Sequence, residues 1–182
     1  MSFRILVDAD SVPVNLRQII LRAACRLELG CVFVADRALP DVRTYIEQDT
    51  HAIRQKAREG GETDALALKA LKSAVCMQVV GTGQDSADDR MVEISQKGDL
   101  CITHDIPLAS RLLEKGCTVI DDRGSEYTAD DIKKRLSDRL VNSELRSWGV
   151  FSEQQGKMDG RTVKSFADRL DMTLSRMTRE NG

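Results

Sequence analysis

Five short apolar runs, separated by segments with helical spacing, leave this chain few folds to choose from. They fall at Phe3–Val7, Cys31–Ala35, Val75–Val80, Asp99–Thr103 and Cys117–Ile120. Short apolar runs of this length read as strands buried on both faces. Between the first two, Leu16, Ile19, Ile20, Ala23, Ala24 and Leu27 recur at i, i+3, i+4 spacing. Ala87, Met91 and Ile94 precede the fourth run. Leu108, Leu112 and Leu113 precede the fifth, after Pro107, which suits a first helical turn. Strands alternating with helices predict an α/β fold, a parallel sheet with helices on both faces.

The 182 residues suit one such domain with a small appendage. Residues 41–74 carry no strand signal and read as two helical pieces broken at Gly60–Gly61. We expect them to be a helical insertion that lines a groove rather than completing the core. Thr128 reads as a helix cap with Asp131 three residues on, followed by helices near Ala129–Leu136 and Asp138–Trp148. Residues 149–160 are polar and punctuated by glycine. An amphipathic helix then spans Arg161–Met177, with Val163, Phe166, Ala167, Leu170 and Leu174 on one face. The expected organisation is an α/β domain over 1–148, then a linker and a packed-back helix over 149–182.

A net charge of −2 excludes a strongly basic nucleic-acid binder but permits a local basic groove. Aromatic residues make up 4% of the chain, too few for a base-stacking platform. No apolar run is long enough to span a membrane. Arg4, Asp8 and Asp10 break the pattern of a signal peptide. The five cysteines include no C-x-x-C pair and read as small buried hydrophobes in a reduced cytoplasm.

The first run, "ILVDADSV", passes straight from buried strand into Asp8 and Asp10. Buried carboxylates need a partner. In a parallel sheet, ligands bind at the carboxyl ends of the strands. Asp85, Asp88 and Asp89 follow the third run, Asp105 the fourth, and Asp121 and Asp122 the fifth. Asp99 begins its strand instead, about 20 Å from Asp105 at roughly 3.3 Å per residue, and falls at the opposite edge. Each acid alone has a plain explanation: a helix cap, a first-turn acid, or an Asp122–Arg123 pair. Together they repel unless a cation sits among them. Oxygen ligands with few histidines nearby point to Mg²⁺ or Mn²⁺ rather than zinc.

Two enzyme classes use such acids. A nuclease holds divalent ions with them. A haloacid-dehalogenase-like phosphatase uses D-x-D after a strand, with the first aspartate, here Asp8, as nucleophile. "DADSV" satisfies that pattern, but Lys115, the lysine placed to steady a phosphate, falls toward the wrong edge. "VVGTGQDS" offers glycines before a helix for a nucleotide phosphate, but lacks the third glycine of the dinucleotide fingerprint and the P-loop lysine. A fourth reading is a non-catalytic module that binds RNA or a protein.

The segments "VDADSVP", "DSADDRMVEISQKGDLCITHDIPLA", "DDRGSEYT" and "SFADRLDMTL" resemble the uncharacterised bacterial YaiI/YqxD family, also called DUF188 or UPF0178. The resemblance covers most of residues 3–40 and 79–178 and is closest in "GDLCITHDIPLA". It implies a PIN-like three-layer fold with a five-stranded parallel sheet. It also implies a metal site at the carboxyl edge formed by Asp8, Asp10, Asp88 and Asp105. The expected activity is metal-dependent hydrolysis of phosphodiesters in single-stranded RNA. Asp8, Asp88 and Asp105 would ligate the ion, and Asp10 would ligate it or orient water. Thr103 and Arg123 are candidate substrate contacts. Positive charge for an RNA strand would come from Lys133, Lys134 and Arg135, or from Arg161, Lys164, Arg169 and Arg176.

Overall fold

All five apolar runs form strands: β1 (Ile5–Asp8), β2 (Cys31–Ala35), β3 (Val75–Val79), β4 (Leu100–Ile102) and β5 (Thr118–Ile120). The computed structural model describes residues 3–81, 86–135 and 158–181. Asp85, the expected helix over Asp138–Trp148 and most of the polar linker lie outside the described residues. The strands make one parallel sheet in the order β3-β2-β1-β4-β5. Ile5 of β1 sits in register with Cys31 on one side and Leu100 on the other. This is the arrangement expected of a three-layer PIN-like α/β fold.

Period-two alternation divides the core. Ile5 and Val7 face one way, with Phe33, Leu100 and Ile102. They meet Leu16, Ile20 and Ala24 of α1 (Val14–Arg26) and Phe166, Leu170 and Leu174 of the C-terminal helix (Gly160–Asn181). Leu6 faces the other way with Val32, Val34, Cys101 and Val119. Met91 of α4 (Ser86–Ile94) and Leu108, Ala109 and Leu112 of α5 (Ile106–Glu114) cover that side. Gly124 lets the turn after β5 approach the C-terminal helix closely. Its φ is +87°, and a Cβ there would lie 2.5 Å from the Ser165 carbonyl oxygen.

Residues 41–74 form α2 (Pro40–Glu59) and α3 (Ala65–Ala70), broken at Gly60–Gly61. The segment is not a free-standing insertion. Val42 is fully buried, and Tyr45 and Ile46 pack against the same core as α1. The reason is topological: β2 and β3 are parallel neighbours, and such a pair needs a crossover. The first half of α2 is that crossover. Its second half and α3 are mostly exposed and tied to each other, with the Arg54 guanidinium donating to the carbonyls of Leu71 and Lys69.

Candidate active site

The strand order reverses at β1: β2 and β3 lie to one side of it, β4 and β5 to the other. The crevice at the carboxyl ends of β1 and β4 is therefore the switch point where open α/β sheets bind ligands. Asp8 stands there as the last residue of the central strand, only 7% exposed. Its Oδ2 accepts a 2.7 Å hydrogen bond from the Thr103 hydroxyl, which sits just past β4. Burial pushes the Asp8 carboxyl above the ordinary aspartate range. Hydrogen bonds from Thr103 and Ser11 pull it down, and the charge of Asp10 pushes it further up. Among the described residues no arginine, lysine or histidine forms an ion pair with it.

Thr103 is fully buried and joins two acids. It donates to Asp8 and accepts from the Asp105 backbone N–H at 3.0 Å. Its one hydroxyl proton is thus committed to Asp8. Asp105 is the N-cap of α5, its Oδ1 accepting from the Leu108 N–H at 2.8 Å. A helix cap is thus a structural role that the Asp105 carboxylate already fills. Asp10 is turned toward the loop after β2. Its Oδ2 accepts from the Asp36 N–H at 2.7 Å, and Arg37 approaches its Oδ1 at 3.8 Å. Asp88 is half-buried in the first turn of α4, the helix that packs over β1 and β2.

The remaining acids divide by edge and by job. Asp99 is at the opposite edge, as its position at the start of a strand requires, and pairs with Arg4 at 2.6 Å. Asp121 folds the turn after β5, accepting from the N–H groups of Arg123 and Ser125. Asp122 pairs with His104 Nδ1 at 2.8 Å, not with Arg123. The sequence pattern singled out neither His104 nor the buried Arg17. Arg123 is exposed, with no side-chain partner among the described residues. Of the basic residues, Arg169 donates to the Gly124 carbonyl, Arg176 pairs with Glu126 at 2.6 Å, and Arg135 lies 5.0 Å over the Tyr127 ring. Lys133, Lys134, Arg161 and Lys164 remain exposed.

Among the described residues, no group of three or more His, Cys, Asp or Glu side chains stands close enough to hold a metal ion. Asp8, Asp10, Asp88 and Asp105 therefore share an edge without forming a closed cage. Mg²⁺ does not require one: it keeps several waters and is commonly held by one or two carboxylates plus substrate phosphates. Thr103 links the two strand ends, its hydroxyl meeting the Asp8 carboxylate and the Asp105 backbone N–H.

The family model described as uncharacterized BCR, YaiI/YqxD family, DUF188, matches residues 63–176. A UPF0178 protein of Cupriavidus pinatubonensis is 36% identical over 173 residues, which cover 95% of this chain and 97% of that protein. A UPF0178 protein of Burkholderia ambifaria is 35% identical over the same length. One from Desulfotalea psychrophila is 33% identical over 174 residues, covering 96% of this chain and 99% of its own. No solved structure matches. With a family match across more than half its length and relatives aligned almost end to end, the chain belongs to the YaiI/YqxD (DUF188, UPF0178) family.

Proposed function

We propose that the chain is a divalent-cation-dependent hydrolase of phosphodiester bonds, with single-stranded RNA as substrate. The observation that carries this reading is Asp8. The central strand delivers a carboxylate to the switch-point crevice, where burial and Asp10 both oppose its charge. A bound Mg²⁺ or Mn²⁺ would offset that cost and supply Lewis acidity toward a phosphate oxygen. In this reading Asp8 and Asp105 hold the ion. Thr103 keeps the two acids in register. Asp88 adds negative charge from α4, and Asp10 sets the loop after β1 against the loop after β2. Arg123, exposed in the turn after β5, would meet a phosphate. The cavities of about 530 Å³ between α2 and α3 and about 350 Å³ beside β3 do not reach these acids. An open edge suits a polymer backbone lying across it better than a small monoester enclosed in a pocket. Of the five cysteines, Cys31, Cys101 and Cys117 are buried as expected, while Cys25 and Cys76 are exposed; a cytoplasmic location is part of this proposal, and no described helix is long and apolar enough to cross a membrane.

The phosphatase reading loses its lysine here. Lys115 caps α5 and donates to the Val92 carbonyl near the end of α4, away from Asp8. The test is to offer purified protein a labelled single-stranded RNA and an aryl phosphate monoester, each with Mn²⁺. RNA cleavage that EDTA stops and that Asp88→Asn loses is expected, with little monoester turnover. Monoester turnover with phosphate trapped on Asp8 would replace this reading with the phosphatase. Inertness toward both, with metal still bound, would favour a non-catalytic binding module.

A further inference from the structure

Arg17 is a buried cation on an otherwise apolar helix face. It shares that face of α1 with Leu16, Ile20 and Leu21 and is 7% exposed. Its guanidinium makes a two-pronged pair with Asp41 in the first turn of α2, Nε to Oδ2 at 2.8 Å and Nη2 to Oδ1 at 3.0 Å. The third nitrogen, Nη1, donates to the Val12 carbonyl at 2.6 Å and the Ala9 carbonyl at 3.3 Å. Those two carbonyls flank Asp10. One planar group thus grips the backbone on both sides of the acidic turn and ties it to the start of α2. Partial burial pushes the Asp41 carboxyl up, but the hydrogen bonds and charge of Arg17 outweigh this and hold it below the ordinary range. Asp10 makes the second tie across the same gap, through the Asp36 N–H.

A buried ion pair is weak grounds for stability, because apolar residues of similar volume often do as well. Its directional value is another matter. Only a rigid fork can meet a carboxylate with two donors and still reach two carbonyls; a lysine ammonium is a point charge on a flexible stem. We infer that Arg17 is a positioning residue, which fixes the turn that follows Asp8 and bears Asp10 against α2. This deepens the proposed function, since the turn it fixes follows directly on Asp8 and carries Asp10. Its core prediction can nevertheless be read without any metal.

The measurement is amide hydrogen exchange by NMR on the metal-free protein, comparing wild type with Arg17→Gln, Arg17→Lys and Asp10→Ala. The Asp36 amide reports directly, because the Asp10 carboxylate is its acceptor. Asp10→Ala sets the rate of the unprotected amide. Both Arg17 variants are expected to speed Asp36 exchange about tenfold or more toward that rate, while amides in β5 keep wild-type protection. Arg17→Lys retains a charge for Asp41, and unchanged protection in β5 shows that the variant is folded, so loss of Asp36 protection in it reports the grip on the turn. Wild-type protection of Asp36 in both variants would overturn the inference, as would equal acceleration throughout β5. In a second arm, Mn²⁺ titration of wild type and Arg17→Lys is expected to show affinity falling roughly 10–100-fold in the variant, the usual effect of losing a group that orients a ligand. Wild type that binds no Mn²⁺ would remove the cation reading alone, with the exchange result still deciding the role of Arg17.

Discussion

An aspartate at the buried end of a central strand carries an electrostatic cost, and the cost has a sign that pH can reveal. In an unfolded chain the carboxyl titrates near about 3.9. In the folded, metal-free protein burial and Asp10 hold Asp8 above that value. Between the two values the folded state binds more protons than the unfolded state, so stability falls as pH rises. The penalty is absent below the unfolded value and complete above the folded one. Asp8→Asn keeps an acceptor for Thr103 and drops the charge. It is expected to raise Tm at about pH 7 without metal, by about 2–4 °C for each kcal/mol regained in a chain of this size. It should also flatten the decline just above about pH 4. Thermal melts of both proteins across that range test this; a lower Tm for the variant at neutral pH would show that the anion is already satisfied. Asp8, Asp10 and Asp105 were legible in the sequence because each directly follows or ends an apolar run. Their partners were not. Thr103 meets Asp8 from 95 residues away, Arg17 meets Asp41 from 24, and His104 meets Asp122 from 18. No periodicity links such pairs; only the strand order brings them together.

At the scale of elements, the strands could be read because a parallel sheet buries both faces and writes continuous apolar runs. Their ends shift by one or two residues, within the ordinary scatter of such boundaries. The role of α2 was harder to read. Its helical character shows in the sequence, but of its twenty residues only Val42 is fully buried, so the segment looks like solvent-facing structure. What marks it as part of the core is the adjacency of β2 and β3, which spacing alone does not reveal. Two excisions separate the halves of the segment. Replacing 41–74 by a Gly/Ser linker removes Val42, Tyr45, Ile46 and the partner of Arg17, and is expected to abolish cooperative unfolding. Replacing only 52–71 removes the outer half of α2 and all of α3. Thr50 and Ser73 already meet at 3.1 Å, so a short linker spans the gap. Leu68, the one buried residue of α3, belongs to neither core cluster. This second protein is expected to unfold cooperatively with a Tm within several degrees of wild type. A non-cooperative melt would show that α3 completes the core.

For the molecule as a whole, the sheet order places the acidic edge at its switch point and leaves the basic residues divided. Arg135, Arg169 and Arg176 are engaged by Tyr127, Gly124 and Glu126, while Lys133, Lys134, Arg161 and Lys164 stay exposed. The central claim is that the edge holds a divalent cation, and a ligand that binds only the folded state must stabilise it, by about 2.7 kcal/mol at a hundred times its Kd. The most direct measurement is the thermal unfolding of wild type and Asp105→Asn over a titration of Mn²⁺ or Mg²⁺ into the millimolar range. Asparagine caps a helix about as well as aspartate, so the variant keeps the start of α5 and loses only charge. Wild type is predicted to gain Tm steadily with metal, while Asp105→Asn starts near the wild-type Tm and stays flat. A wild-type Tm that does not move with metal, or a gain that survives intact in Asp105→Asn, would contradict the account.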